Sequence, residues 1–285
     1  MGEFRSQTVR TFIEFAEVAD RAARSAGGPC WFRGCCTTDF RLTPGLYRHP
    51  KIRGSVDEVA QRAEFFTLEH ELLAWFKQRS APYRQRDLGD CDWEWLFFMQ
   101  HYRVPTRLLD WTESPYVALY FALTEAPPPK ASPEAAVWAL RPLAWNRTTV
   151  AEVKANSHIP SPGDEALNAH GPESTRRWLD YPAADADQLQ LVRPLPVAMH
   201  GTHNTLRIAL QRGAFVAFGA ETADMKTIYE SGGFAEDALT RIDVPAKARG
   251  PVLQSLLSAG ITDSVIFPDL EGVAREARRS FGFGE

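Results

Sequence analysis

Arg33 stands in a run of bulky apolar residues, Cys30-Trp31-Phe32-Arg33-Gly34-Cys35, that reads as a short strand. A buried guanidinium needs an anion. Arg33 is therefore either paired with a carboxylate of the protein, for which Glu69 and Glu71 are candidates, or presented to a ligand phosphate or carboxylate. Gly34, which lacks a Cβ, lets a backbone or a ligand come close. A second concentration of polar groups runs from Gln100 to Ala122. There Thr106, Arg107, Asp110 and Thr112 punctuate a short extended segment whose Leu108, Leu109 and Trp111 suit burial. Ser114-Pro115 then opens a helix, with a hydroxyl to cap the first amides and a proline where its missing N–H costs little. A polar strand end beside the amides of a buried helix can hold an anion or a ligand phosphate. The competing reading is a tightly packed unit whose polar residues satisfy one another; the residues alone leave both open. Asp110, between Leu109 and Trp111, is expected to pair with Arg107 or Arg33, so that Asp110→Asn would cost the fold.

The elements that must position these groups follow from periodicity and breakers. Helical spacing runs over 9–25 and 57–79, the latter carrying Val59, Phe65, Phe66, Leu72, Leu73 and Trp75. The apolar helix through Trp93 to Gln100 must break near Val104, because Pro105 excludes the α conformation from its predecessor. Residues 40–52 read as irregular and basic, and Ala126 to Pro133 as an exposed loop. Ala135–Leu140 is a strand. Residues 146–187 are polar and proline-broken, with one helical piece near 173–179. A short helical turn over 206–210 leads through Gln211 to a strand from Ala214. Beyond it come a helix over 223–230, a strand over 239–244, a helix over 250–258, a strand over 264–267 and a helix over 270–279. No Walker, Rossmann or Gly-x-Ser-x-Gly pattern is present.

Composition narrows the class. At 285 residues, 44% hydrophobic and 24% charged, the chain is that of an ordinary globular protein. A net charge of -4 argues against broad, charge-driven nucleic-acid binding, though a local basic patch stays open. No apolar run approaches the ~18 residues a membrane span needs, and the start of the chain lacks the apolar core of a secretion signal. Cys30, Cys35, Cys36 and Cys91 form no disulfide framework and no zinc-like spacing. The expectation is a cytoplasmic protein with reduced thiols and no metal site.

Trp31-Phe32-Arg33-Gly34, the run from Gln100 to Ala122, Gln211-x-Gly213-x-Phe215 and the closing Gly260-Ile261 to Ile266-Phe267-Pro268-Asp269-Leu270 together resemble the FRG domain, named for its Phe-Arg-Gly tripeptide. The resemblance covers about residues 9–279. It implies one domain over 1–285, with 127–133 and about 146–187 as loops or insertions. The implied fold is α+β, a split, mostly antiparallel sheet of ADP-ribosyltransferase type decorated with helices. Such enzymes hold NAD, their substrate, with three strand motifs. The first matches Arg33-Gly34, the second Thr106–Thr112 with the helix after Pro115, and the third Gln211. Family members are similar to toxin or effector components of bacterial phage-defence and toxin–antitoxin systems, so the acceptor would be RNA or protein and an antitoxin a possible partner. Breaking the nicotinamide–ribose bond builds an oxocarbenium-like charge. Arg33 would clamp the phosphates, with Gly34 beside it. Thr106, Arg107 and Thr112 would orient the ribose and help the clamp. Tyr102 or Tyr120 would stack on nicotinamide. Gln211 can hydrogen-bond a 2′-hydroxyl but cannot act as a base, which leaves Asp110, Glu113 and His101 as candidates. The alternatives are a non-catalytic module that binds NAD or nucleic-acid phosphate through Arg33, Arg107 and the basic 41–53 stretch, and a scaffold whose polar residues are all structural.

Overall fold

The computed structural model describes residues 4–24, 28–53, 58–83, 88–89, 91–149, 159–161, 195–202 and 210–283. Seven strands form a single mixed sheet: β1 (Ser6–Thr8), β2 (Trp31–Cys35), β3 (Leu108–Thr112), β4 (Ala135–Leu140), β5 (Val197–Met199), β6 (Gly213–Ala217) and β7 (Leu239–Val244). Their order is β1-β7-β4-β2-β3-β6-β5, with β1 parallel to β7 and every other neighbouring pair antiparallel. The α+β class is as expected, and the sheet is antiparallel except at one edge. β2 pairs with β4 through five residues, and β3 with β6 through five. β2 and β3, however, meet at a single pair, Phe32 with Thr112. The sheet is two ladders joined at one point.

Helices cover the two faces differently. One face buries Trp31, Leu109, Trp111, Trp138 and Val216 under α3 (Glu58–Ser80), α6 (Pro142–Thr149) and α7 (Met225–Glu230), which contribute Phe65, Phe66, Trp145, Met225 and Ile228. On the other face α1 (Phe12–Arg24), α5 (Pro115–Thr124) and α8 (Ala246–Ser258) pack on Phe32, Val137, Ala139 and Ile242. A separate group built on α4 (Asp92–His101) covers Leu108, Phe215, Ala217 and Met199. Two helix groups thus share this face, one on each ladder. Among the described residues the remaining α-helices are α2 (Pro50–Arg53), α9 (Asp263–Ile266) and α10 (Leu270–Ser280).

Local chemistry explains the elements around the β2–β3 junction. Ser114 caps α5 by accepting from the Val117 amide at 3.4 Å, and Pro115 opens the helix, as the sequence indicated. α5 then lies directly on β2. A Cβ at Gly34 would stand 1.9 Å from the Ala118 carbonyl oxygen and 2.7 Å from the Ala122 nitrogen. The close approach that Gly34 permits is therefore by the α5 backbone. α4 ends at His101, and the Val104 amide donates back to the Met99 carbonyl at 3.0 Å, with Arg103 left-handed at φ 62°. This is the closure that glycine usually makes.

Three sequence expectations are corrected. Residues 264–267 are not a strand; residues 263–266 form α9 instead, because Thr262 and Asp263 start a helical turn. α8 begins at Ala246 rather than at 250, and carries Pro251 inside it. Residues 146–149 close α6 and are not loop. The helical pieces expected near 173–179 and over 206–210 fall outside the described residues, Leu210 apart. Among the described residues no helix is long and apolar enough to cross a membrane.

Arg107 anchors the start of β3. Its Nε donates to both Glu69 carboxylate oxygens at 2.9 Å, its Nη2 also donates to Oε2, and its guanidinium lies 5.2 and 5.4 Å from the Phe65 and Phe66 ring centres. Arg107 is 0% and Glu69 1% exposed. Removing one partner of such a pair leaves a lone buried charge, which costs roughly 3–5 kcal/mol. Glu69→Gln is accordingly expected to lower stability by about 3 kcal/mol in a denaturant or thermal melt; a loss below about 1 kcal/mol would show that the pair does not hold β3 in place.

Candidate functional site

The gap between the two helix groups is a cleft of about 660 Å³ over the β2–β3 junction. Its floor is Phe32, Arg33 and Gly34 of β2, Asp110 to Thr112 of β3, and Gly213 and Phe215 of β6. α5 supplies one wall through Val117, Ala118, Tyr120 and Phe121, and α4 the other through Phe97, Gln100 and His101. Phe267, next to α9, and Arg275 of α10 close one end.

The single Phe32–Thr112 pair determines what Arg33 does. In an antiparallel ladder, backbone groups point alternately to the two neighbours. Arg107 and Glu113 of the β3 stretch exchange hydrogen bonds with the β6 side, at Phe218 and Arg212. The even residues Leu108, Asp110 and Thr112 therefore face β2, which has diverged. Arg33 fills the gap: its Nη1 donates to the Asp110 carbonyl at 2.5 Å and lies 3.9 Å from the Asp110 carboxylate. Neither Glu69 nor Glu71 is its partner among these contacts. The Asp110 side chain is 55% exposed, so its carboxylate is not a buried structural anion. Gln100 orients it, donating from Nε2 to Asp110 Oδ2 at 2.7 Å while its Oε1 accepts from the Thr106 hydroxyl at 2.7 Å.

The structure thus brings Arg33, Gly34, His101, Asp110, Thr112, Tyr120 and Gln211 to one cleft from five separate stretches of chain. Thr106 and Arg107 are not part of it. Both are fully buried, Thr106 holding Gln100 and Arg107 holding Glu69. Tyr102 also lies off the lining, exposed and set against the edge of Phe98. Glu113 is exposed outside the lining as well. The sequence reading counted Thr106, Arg107 and Tyr102 as ligand contacts; burial and placement remove them. Two of the lining groups are already committed. The Thr112 hydroxyl donates to the Gln211 carbonyl at 2.5 Å and accepts from the Ser114 amide at 3.0 Å, tying β3 to the chain two residues before β6. Gln211 Nε2 donates to the Ile266 carbonyl at 3.0 Å, which fixes its amide.

Sequence reasoning missed Gln100, Arg103, Glu125 and Arg275 on the lining. Only Arg103 left a signal: an arginine at a helix end just before Val104-Pro105, where glycine would be the easy residue. A non-glycine residue in the left-handed region costs about 1 kcal/mol or more. Burial pushes the Cys30 thiol up to about 12 and raises Cys35 despite Arg33 beside it, so neither is a ready thiolate.

Residues 28–131 match the FRG domain family. No curated protein and no solved structure matches the chain. The FRG match contains Arg33, Gln100, His101, Asp110, Thr112 and Tyr120, whereas Gln211, Phe215, Phe267 and Arg275 lie beyond it. Both walls and most of the floor therefore lie in the matched segment, and later chain supplies the β6 part of the floor and closes one end.

Behind Tyr120 lies an ionic latch. Its hydroxyl donates to the buried Asp263 carboxylate, which also accepts from Arg279 Nε at 2.9 Å and Nη2 at 3.1 Å. Burial alone would push the Asp263 carboxyl up, but the hydrogen bonds from Arg279 and Tyr120 outweigh it and hold it below the usual value. A depressed carboxyl stabilises the fold above its unfolded pKa of about 4 and loses that contribution as pH falls below it. In acid titrations of thermal stability, wild type should lose its advantage over Asp263→Asn between about pH 5 and 3; a constant difference over that range would remove the ionised latch. Arg103→Gly should leave stability within about 1 kcal/mol of wild type or above it in a denaturant melt. A loss above about 2 kcal/mol would instead make Arg103 a packing residue.

Proposed function

We propose that the chain is an ADP-ribosyltransferase-like enzyme that takes NAD into the β2–β3 cleft and transfers ADP-ribose to a macromolecular acceptor, nucleic acid or protein. The observation that carries this reading is the convergence of Arg33, Asp110, His101 and Gln211 on one cleft at the split in the sheet. The cleft volume of about 660 Å³ lies within the roughly 300–1,000 Å³ of small-molecule sites. Its polar groups match the needs of a dinucleotide. Arg33 and Arg103 offer guanidinium forks for the phosphates. The rings of Phe32, Phe97, Tyr120 and Phe121 offer apolar surface for a base or nicotinamide.

The reaction breaks the bond between ribose C1′ and the nicotinamide nitrogen, and nicotinamide leaves with the bond's electron pair as a neutral ring. Positive charge then spreads over C1′ and the ring oxygen. In this reading the Asp110 carboxylate, aimed by Gln100, stabilises that charge. An acceptor hydroxyl or amine attacks C1′ and gives its proton to Asp110 or His101. Gln211 holds a ribose hydroxyl and takes no proton. A carboxylate on β3 thus does what a glutamate at the third motif would do.

Incubation with NAD labelled in the nicotinamide and in the adenosine tests this. Expected are nicotinamide release and transfer of the adenosine label. Arg33→Lys and Asp110→Asn should each lower turnover by about 100-fold or more, with melting temperatures within a few degrees of wild type, because neither side chain is buried. Saturable NAD binding without release would replace the enzyme by a binding module. Unchanged turnover in Asp110→Asn would remove that carboxylate from the chemistry.

A further inference from the structure

Among the described residues three that are not glycine take left-handed backbone, and all three are cations: Arg103 at φ 62°, Lys130 at φ 71° and Arg212 at φ 47°. Glycine apart, asparagine, aspartate and histidine are the residues favoured there. A strained residue that persists beside a cleft points to a use for its side chain. Arg103 lines the cleft, Lys130 follows the lining residue Ala126 in the same loop, and Arg212 stands between Gln211 and Gly213, which both line it. Arg212 itself is exposed. So is Tyr102, which stands between His101 and Arg103 of the lining. Consecutive Cα atoms are only about 3.8 Å apart, so Tyr102 and Arg212 are at the rim, with their side chains outside the hollow. The Tyr102 ring is 60% exposed and stands nearly perpendicular to its aromatic neighbours, at 71° to Phe98 and 84° to His101. Among the described residues its hydroxyl bonds nothing, and Arg212 pairs with no carboxylate. Glu113 donates its amide to the Arg212 carbonyl at 3.1 Å, but the two side chains form no ion pair.

We propose that this rim receives a single-stranded nucleic acid as the acceptor, with an unstacked base on Tyr102 and a backbone phosphate on Arg212. The inference rests on the transfer reading of the cleft and names its acceptor class. Neither side chain is buried, so packing in the core does not account for them. Arg212 keeps a guanidinium at a position that glycine would occupy without strain. A macromolecule that offers one group to the cleft has to cross this rim. There it meets an aromatic ring for a base and a guanidinium fork for a phosphate, the two contacts by which single strands are held. An acidic peptide would use the guanidinium and leave the ring bare. A duplex would keep its bases stacked and away from the ring. The chain carries a net charge of -4, so a polyanion is not drawn to it broadly and the contact is confined to these few groups.

Fluorescence anisotropy of a short, labelled, mixed-sequence single-stranded RNA, titrated at low salt with the full chain, tests it. Saturable binding is expected, and the duplex of the same sequence should bind about 5-fold more weakly or worse. Tyr102→Ala should weaken binding about 10-fold or more without changing its salt dependence, while Tyr102→Phe should stay within about 3-fold of wild type. Arg212→Gln should weaken it about 5-fold and flatten the slope of log affinity against log salt by about 0.7. Arg212→Gly should do the same while melting no lower than wild type, which separates the guanidinium from the backbone. Absence of binding overturns the proposal, as does binding that Tyr102→Ala leaves intact or that the duplex equals. Transfer of the adenosine label from NAD to proteins and to no oligonucleotide overturns it as well, and makes the acceptor a protein. Nicotinamide release without RNA should be the same in Tyr102→Ala and wild type, because the ring lies outside the lining. A wild type that holds the RNA through Tyr102 yet releases no nicotinamide would end the transfer reading while the nucleic-acid site stands.

Discussion

The site depends on one missing ladder. β2 and β3 are neighbours in the sheet yet share only Phe32 with Thr112, while each keeps five pairs with its other neighbour. Full pairing would spend the backbone groups of Asp110 on β2 and close the floor. Because the strands diverge, the Asp110 carbonyl takes a side-chain donor from Arg33 instead, and the opening above it becomes the cleft. The arginine thus supplies the donor that β2 does not and lines the cleft with the same guanidinium.

The two strands are held apart by different forces on either side. On the β2 side α5 is pressed so closely against Gly34 that no other residue fits. On the β3 side the Arg107–Glu69 pair, wrapped in Phe65 and Phe66, pins the strand to α3. Neither side yields without breaking a core contact. Arginines serve three ends here. Arg107 is spent entirely on the protein, Arg33 partly, and Arg103 holds a strained backbone position at the cleft edge with no such return in packing.

The closing segment of the chain completes what the FRG segment begins. Gln211 reaches Ile266, Tyr120 reaches Asp263, and Arg279 joins them, so α9 and α10 are tied to the cleft by polar contacts from three elements. Arg279, with Gly272, Arg275 and Glu276, takes up the inward face of α10. Its apolar residues have only the outward side left, which is why an ordinary amphipathic pattern ends up reversed.

Much of the element order was readable from the chain alone. Ser114-Pro115, the apolar Ala135–Leu140 run and the Pro105 break are local signals, and local sterics and capping act within a few residues. The Trp-Phe-Arg-Gly and Gln100-to-Ala122 motifs likewise pointed to where the cleft residues would be found. What the chain could not tell was which polar residue faces which partner. Arg33 and Arg107 look equally suited to a ligand in one dimension, and Glu69 suits either. Only the sheet register and the helix packed above it bury one guanidinium against Glu69 and leave the other at the split. The same holds for α10, whose amphipathic pattern marks two faces without saying which turns inward. Pairings between residues dozens to hundreds of positions apart are set by tertiary geometry, and the cost of burying a charge without its partner decides them.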